Sequence, residues 1–405
     1  MRRLLGMVFV VVLATSCVQP QKRTGGPDAA QLKGGTWSRL PPAPIPERAD
    51  VIGVWSGSEL LVWGGASGPG RTDLHTDGAA YNPRTKKWRV LPPAPLNGRT
   101  AAAAHAWTGQ ELVVWGGYDR SREGDSHVVG DGAAYNPSTN GWRMLPPSPL
   151  GPRSDAVATW TGKELIIVGG HRGDGRADPG GAAYDPATDR WRLLPTPSLP
   201  AGHDVSYPFT VWTGSRLVIW WGWTHVETEG NTQRIGGGID RVDYDPAADS
   251  WALADPIKGS PRGIHDVFWT GAEVLIPAAA PWCATTCPSS AGTDLVGSRS
   301  GPDGMTWRPI AHGPADNASG PALWTGAAMV RISDSFNGDT QSGDAAAWDP
   351  VADRWFALRP APLVPSPGTV AVWTGTEVLL WGDLHRQDRS SEMSVAVAGG
   401  LRFGN

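Results

Sequence analysis

The sequence lacks the features of a nucleic-acid-binding protein and of an integral membrane protein. Acidic residues outnumber basic ones, so the net charge is -4 and no basic surface is expected for a phosphate backbone. After the N-terminus, no segment approaches the roughly 20 consecutive apolar residues of a membrane helix. Charged residues make up only 18%, whereas the chain has 53 glycines and 37 prolines. This balance favours short strands and tight turns over long helices.

The first 17 residues have the organisation of an export signal. Two arginines precede an apolar run from Leu4 to Leu13, and small residues lead to Cys17. This arrangement resembles the lipobox of bacterial lipoproteins, in which the cysteine is lipidated, although Ala14 stands where leucine is usual. The resemblance implies a protein anchored in the cell envelope outside the cytoplasm, and a plain secretory signal is the alternative. Residues 18–35 are polar and are predicted to form a flexible tether.

Cysteine is scarce, with three residues in the chain. In an exported protein, Cys283 and Cys287 are most simply a local disulfide that closes one loop, and a redox role is the weaker alternative. Nothing in the sequence has the tight spacing of a metal motif such as H-E-x-x-H. We therefore predict no metal site and no cofactor.

A repeat organises the rest of the chain. A segment such as residues 107–117 (WTGQELVVWGG) recurs at intervals of 49 to 57 residues, and its copies begin at Trp55, Trp107, Trp160, Trp212, Trp269, Trp324 and Trp373. Each unit reads as four short strands separated by Thr-Gly, Asx-Pro and Pro-Pro turns. A period of this length with four strands predicts one propeller blade per repeat, and therefore seven blades in residues 36–405.

Tryptophan and the Asx-Pro turn occupy fixed places in the repeat. One tryptophan ends the first strand and another begins the fourth, which predicts a packing role between blades. The Asx side chain before each proline can hydrogen-bond the backbone of its own turn. The last repeat has no fourth strand with a tryptophan, whereas Thr36 to Leu40 forms such a strand with no blade before it. We predict that this strand completes the seventh blade, and that Met393 to Ala398 is its third strand.

A double glycine after the second strand, followed by a tyrosine and a tryptophan, resembles the kelch-repeat β-propellers. The residues that carry the resemblance are Gly64-Gly65 with Tyr81 and Trp88, Gly116-Gly117 with Tyr135 and Trp142, and Gly169-Gly170 with Tyr184 and Trp191. The later repeats lose the glycines. The resemblance implies an all-β fold in which fourth-to-first connections and second-to-third loops emerge on one face around the channel mouth.

Arginine and histidine recur on that expected face. The fourth-to-first connections carry Arg48, Arg99, Arg153, His203 and Arg262, and the second-to-third loops carry His75, Arg120, His127, His171, Trp223, His225 and His385. These side chains are candidates for binding a ligand. For the arginines, hydrogen bonding to the carbonyls of a neighbouring blade is the alternative.

These observations favour a monomeric binding module for an acidic or polyhydroxylated ligand, or for a protein. Three enzyme classes that resemble the chain in fold remain as alternatives. A sialic-acid mutarotase would need only acid–base groups in a pocket, and a sialidase would need an arginine trio and a tyrosine nucleophile. A galactose oxidase would need a cysteine cross-linked to a tyrosine, which the expected roles of the three cysteines disfavour.

Overall fold

The structure is a computed structural model. It describes residues 27–68, 72–122, 125–200, 204–229, 232–254, 266–277, 297–301, 306–313, 320–332, 335–337, 340–362, 364–365, 368–382, 384–386, 395–396 and 400–404. The fold in this part of the chain is a propeller of seven antiparallel four-stranded sheets, which confirms the predicted fold class.

In blades 1 to 6 the four strands follow one another in chain order from the innermost to the outermost. Blades 1 to 3 comprise Ile52–Trp55, Leu60–Trp63, Gly78–Asn82 and Lys87–Val90; Ala104–Trp107, Leu112–Trp115, Gly132–Asn136 and Gly141–Met144; Val157–Trp160, Leu165–Val168, Gly181–Asp185 and Arg190–Leu193. Blades 4 to 6 comprise Asp204–Trp212, Leu217–Glu229, Thr232–Asp245 and Ser250–Leu253; Phe268–Trp269, Val274–Ile276, Ser298–Ser300 and Trp307–Pro309; Ala322–Trp324, Met329–Ile332, Ala345–Asp349 and Arg354–Ala357.

The seventh blade joins the two ends of the chain. Its strands are Val370–Trp373, Val378–Trp381, Gly400–Gly404 and the N-terminal Thr36–Arg39. The last two pair from Thr36 with Gly404 to Arg39 with Leu401. The first strand of blade 7 contacts that of blade 1, so the ring is closed and the outer strand of blade 7 comes from the N-terminus, as predicted.

The predicted third strand of blade 7 is wrong in position. Val395–Ala396 instead pairs with Leu384–Arg386 in a small sheet, which Val364–Pro365 completes. Gly400–Gly404 takes the third position because Phe403 replaces the repeat tyrosine, and its ring lies 4.8 Å from that of Trp37. Two adjacent apolar segments fit the period equally well, and the sequence pattern selected the earlier one.

A short helix lies in the segment predicted to be a tether. Ala29–Leu32 begins at a capping box in which Asp28 and Gln31 hydrogen-bond each other's backbone N–H. Ala29 and Leu32 are buried and pack against blades 6 and 7. Two apolar residues are too few to show a helical period, so the pattern indicated no helix. No helix within the described ranges is long and apolar enough to cross a membrane.

Tryptophans connect neighbouring blades in two ways. The fourth-strand indole Nε1 donates to a carbonyl that follows the fourth strand of the preceding blade, in the pairs Trp88 to Pro41, Trp142 to Pro92, Trp191 to Pro146, Trp251 to Pro195, Trp355 to Ala311 and Trp37 to Arg359. The indole rings of the fully buried Trp63 and Trp115 lie 5.4 and 6.3 Å from Trp142 and Trp191 of the next blade. The predicted packing role of the fourth-strand column is confirmed.

A polar network joins blades 1 to 4 at the opposite face from the candidate site. In its blade 2 copy, Arg143 pairs with Glu111 of its own blade and with Tyr184 and Asp189 of blade 3. Burial, followed by the hydrogen bond to Asp189, raises the pKa of Tyr184 to about 12, so its hydroxyl remains a donor at neutral pH. Arg89 and Arg192 begin equivalent networks with Glu59 and Glu164.

The double glycines end the second strands by a bend. Gly116 and Gly117 have φ of 69° and 91°, and Gly117 N–H donates to the Arg153 carbonyl at 2.7 Å. A Cβ at Gly116 would lie 2.6 Å from that same carbonyl oxygen. The bend therefore needs both the positive φ and the absence of a side chain.

Substitution of Gly116 should be far more damaging than substitution of a glycine with space around it. Gly109 in the Thr-Gly turn has φ of 93° and nothing near the position of a Cβ. We expect Gly109→Ala to cost about 1 to 2 kcal/mol from backbone strain alone. Gly116→Ala should cost about 2 kcal/mol more, because the Arg153 carbonyl must move. Chemical denaturation of both variants measures the difference, and equal losses would contradict the close approach.

Candidate functional site

The candidate site is the face where the fourth-to-first connections meet the second-to-third loops. Backbone bridges join the two loop sets in blades 1 and 3, between Ala49 and Ala66 and between Ser154 and His171. Both ends of each bridge lie close to the inner strands. In blades 1 and 3 the two loop sets are therefore hydrogen-bonded to one another.

Arg48 connects the two loops of blade 1 at this face through side-chain hydrogen bonds. Its side chain is buried and donates to the carbonyls of Pro46 and Gly64 and to both oxygens of Asp77, the shortest contact being 2.6 Å. Asp77 directly precedes the third strand, and its side chain is 44% exposed. Burial opposes ionisation of Asp77, but the hydrogen bond and charge of Arg48 outweigh it and lower the pKa of the carboxyl.

Arg99 and Arg153 repeat this arrangement in blades 2 and 3. Arg99 donates to the carbonyls of Asn97, Gly98 and Gly116 and to Asp131 at 2.7 Å. Arg153 donates to three carbonyls, including that of Gly180 at 2.7 Å, and pairs with Asp178 at 3.1 Å. All three arginines therefore hydrogen-bond carbonyls, as in the structural alternative, but the carbonyls belong to the arginine's own connection and blade rather than to a neighbouring blade. Their aspartate partners are the more exposed members, at 44% for Asp131 and 26% for Asp178.

The described histidines of this face differ in their surroundings. His75 lies between Ser67, at 2.8 Å from Nε2, and Asp77, at 3.9 Å from Nδ1. Burial, then the charge of Arg48, lowers the pKa of His75. His171 Nδ1 lies 3.7 Å from Asp155 in blade 3. His127 is exposed on a loop hairpin of blade 2, where its backbone pairs with Asp119. The two histidines with acidic neighbours are therefore in different blades.

The remaining predicted site residues fall in other parts of the chain. His203, Arg262, Cys17, Cys283 and Cys287 lie outside the described residues. Arg120 and His385 lie in short strands that follow the second strands of blades 2 and 7. Trp223 and His225 lie in the second strand of blade 4 itself, which continues past the position of the loop. Among the described residues, no group of three or more potential ligands could hold a metal ion.

Blade 4 presents a long ribbon instead of a loop. The ribbon has three strands as far as Thr224, which pairs with Asp204 at the start of the first strand, and two strands beyond it. Its Trp221-Gly222 replaces the double glycine, and the second strand continues without a bend to Glu229. The return strand begins at Thr232 and pairs with it in continuous register. The eight residues after Trp221 extend about 25 Å beyond the strands of the other blades, at roughly 3.3 Å per residue.

The exposed aspartates and Ser67 were missed by sequence reasoning. The sequence contained a signal for two of them. Asp77 and Asp131 each begin an Asp-Gly-Ala-Ala-Tyr segment, and the third strand of the blade starts at the glycine of that segment. Asp178 lies two residues further from its strand, which disguises the equivalence. The motif was interpreted as a strand signal, and its first residue was not assigned a partner.

Comparison with family models agrees with the geometry. The model described as "KLHDC2/KLHL20/DRC7 Kelch-repeats domain" matches residues 51–276, which is more than half of the chain. The chain belongs to this Kelch-repeat family.

Curated relatives of this Kelch propeller share only part of its length. N-acetylneuraminate epimerases of Shigella boydii serotype 4 and of Escherichia coli strain K12 are 29% and 28% identical to it over 133 residues. These matches cover 33% of this chain and 34% of the relatives, about one third of their length. The solved structure of YjhT covers 80% of this chain and all of its own, with a TM-score of 0.50 and 16% identity. That likeness shows the fold alone.

Proposed function

We propose that this Kelch propeller is a monomeric, extracytoplasmic, lipid-anchored binding module for a polyhydroxylated ligand. The ligand lies on the face formed by the fourth-to-first connections and the second-to-third loops. The observation that carries the proposal is the repeated pair of a buried arginine and a partly exposed aspartate. The pair occurs with Asp77, Asp131 and Asp178 in three successive blades.

The charge arrangement selects the ligand class. Arg48, Arg99 and Arg153 donate to backbone carbonyls and to their own aspartates, so these guanidinium groups do not face a ligand. The groups that reach solvent are carboxylates, which accept hydrogen bonds from hydroxyls. A sugar-like ligand satisfies them better than a carboxylate or a phosphate does. Preorganisation by the arginines reduces the entropy lost on binding.

A matched pair of substitutions tests the face. We would screen galactose, glucose, N-acetylglucosamine and N-acetylneuraminate by thermal shift and titrate any that bind by calorimetry. Asp131→Asn keeps an oxygen for Arg99 but removes the charge, and it should weaken binding about tenfold or more, the loss of one hydrogen bond to a charged group. Asp189→Asn is the control, because Asp189 also pairs with an arginine but lies on the opposite face, where blade 2 already has Asn140. Equal effects of both substitutions, or no binding of any sugar, would contradict the proposal, and the latter would favour a protein partner.

A sugar-converting enzyme is the second candidate. The observation that favours it is the similarity to N-acetylneuraminate epimerases over 133 residues. Interconversion of the anomers of N-acetylneuraminate, followed by NMR with and without the protein, tests it directly. An interconversion rate that the protein does not change would contradict the enzyme proposal and leave binding as the proposed function.

The lipid anchor is a proposal from the sequence around Cys17. It predicts that the protein fractionates with membranes and that Cys17→Ser releases it. A Cys17→Ser protein that remained with the membranes would contradict anchoring through this residue.

A further inference from the structure

Three side chains at the mouth of blade 1 are arranged in the order of a nucleophile, a base and an acid. Ser67 Oγ lies 2.8 Å from His75 Nε2, and His75 Nδ1 lies 3.9 Å from Asp77 Oδ1. Ser67 is partly exposed, and the side chain of His75 is 21% exposed. Serine and histidine are therefore in hydrogen-bond contact at a surface that a small molecule can reach.

The backbone holds this arrangement in place. Ala66–Ser67 pairs with Asp73–Leu74 in a short hairpin, and Ala66 exchanges two backbone hydrogen bonds of 2.9 Å with Ala49. His75 N–H donates to the Gly65 carbonyl at 3.0 Å. The hairpin is thus connected to the segment that begins the innermost strand.

We propose that Ser67 is the nucleophile of an esterase site, with His75 as its general base and Asp77 as a positioning residue. In this arrangement Asp77 favours the tautomer with the proton on Nδ1, which leaves Nε2 free to accept the serine proton. Arg48 holds Asp77 by two hydrogen bonds, of 2.6 and 3.3 Å, and so fixes the position of the acid. The two proposals share Asp77, but the esterase activity does not require sugar binding and is tested through Ser67 and His75.

The reaction balances with water as the only co-reactant. The Ser67 proton passes to His75 Nε2 while Oγ bonds to the ester carbonyl carbon, and collapse of the tetrahedral intermediate expels the alkoxide, which takes that proton and leaves as an alcohol. Water then gives a proton to His75 and attacks the acyl-serine. Release of the acid returns the proton to Ser67.

The geometry favours activated esters as substrates. Asp77 is 44% exposed and 3.9 Å from Nδ1, so it stabilises the imidazolium less than a buried acid in direct contact would. A weakly stabilised imidazolium suffices for a good leaving group such as a phenol. A weakly stabilised imidazolium also makes His75 a weaker base toward the serine, and an amide, with its less reactive carbonyl and poor leaving group, needs more activation of the nucleophile, so we expect no peptidase activity.

Covalent labelling tests the proposal on the intact protein. A fluorophosphonate probe, with peptide mapping by mass spectrometry, should modify Ser67, and p-nitrophenyl acetate should be hydrolysed. Ser67→Ala should abolish both, and His75→Gln should slow hydrolysis by about a hundredfold or more. Because burial and the charge of Arg48 lower the pKa of His75 against the opposing charges of Asp77 and Asp73, the rate should rise with pH to a plateau through a single group whose pKa is below that of a free imidazole.

The controls separate chemistry from folding. Ser138→Ala replaces an exposed serine in a turn on the opposite face and should change neither labelling nor rate. Asp77→Asn retains an acceptor for Arg48 but removes its counter-charge, so we expect a lower melting temperature as well as a lower rate. The readout specific to positioning is the pH profile of the rate, which should change in this variant and which a purely structural role would not change. Absence of the probe from Ser67 in the unsubstituted protein would overturn the proposal, and the Ser67–His75 hydrogen bond would then only brace the hairpin.

Discussion

A chain that begins at residue 41 is expected to lose the single cooperative unfolding transition of a chain that begins at residue 27. The truncation removes Thr36–Arg39 from blade 7 and leaves Gly400–Gly404 as an exposed edge. It also removes Trp37, whose ring packs on Phe403 and whose indole donates to Arg359. Full burial of one tryptophan contributes about 4 to 6 kcal/mol before entropy is counted, and the partly buried Trp37 contributes a fraction of that amount. Even part of that free energy is a large fraction of the about 5 to 15 kcal/mol by which a typical folded protein is stable.

A graft distinguishes closure from a general effect of shortening. In blade 2, Asn136 at the end of the third strand pairs with Gly141 at the start of the fourth, and residues 137–140 form the turn between them. In blade 7, Gly404 and Thr36 are the equivalent pair. Residues 137–140 and then 36–40 can therefore be attached after Gly404 of the truncated chain. This graft should restore a sharp transition by calorimetry. A truncated chain that melts like the longer one would show that the N-terminal strand does not close the ring.

The blade architecture was predictable because the repeat encodes local chemistry. Asn136 and its equivalents accept backbone hydrogen bonds in their own turns, as with Ser138 N–H at 2.9 Å. The double glycine has positive φ wherever the strand bends. These features act within a few residues, and a period along the sequence exposes them. The N-terminal strand was identified for the same reason, since its tryptophan matches the fourth-strand column.

Features that depend on departures from the repeat were harder to predict. The Ala29–Leu32 helix buries only two residues, Ala29 and Leu32, and its stability depends on the surface of blades 6 and 7 against which they pack. Loss of the double glycine in blade 4 was visible, but its consequence, a ribbon that continues to Glu229, follows from the absence of a bend. A missing double glycine indicates that the usual bend is lost, but it does not indicate which structure replaces the bend.

Within the candidate site, the sequence identified the arginines but did not show whether their guanidinium groups face a ligand or the interior of the protein. Arg48 recurs in its repeat slot, and both a ligand and a neighbouring carbonyl could explain that pattern. The distinction depends on Asp77, 29 residues away along the chain, and on the carbonyl of Gly64 at 3.3 Å. Contacts across this distance are set by the fold. The exposed carboxylates follow once the arginines are known to be enclosed.

Arg99→Ala is expected to lower the free energy of unfolding by about 3 kcal/mol, the lower end of the range for breaking a buried ion pair. Arg99 is only 1% exposed, and it connects two blades. Its carbonyl accepts from Gly65 N–H of blade 1 at 2.7 Å, whereas its side chain holds Gly116 and Asp131 of blade 2. Alanine keeps the first contact and leaves the carbonyls and the carboxylate of blade 2 without their donor. Urea denaturation followed by tryptophan fluorescence measures the loss.

Arg172→Ala is the matched control on the same face. Arg172 also pairs with an aspartate, Asp174, but both side chains are about half exposed and 3.6 Å apart. An exposed pair contributes little, so its midpoint should remain within error of the unsubstituted protein. A third variant, Arg99→Lys, keeps the charge but cannot reproduce the branched set of donors, and it should fall between the two. If Arg99→Ala unfolded at the same urea concentration as Arg172→Ala, the buried arginine would not be what fixes these loops, and the carboxylates above it would not be preorganised.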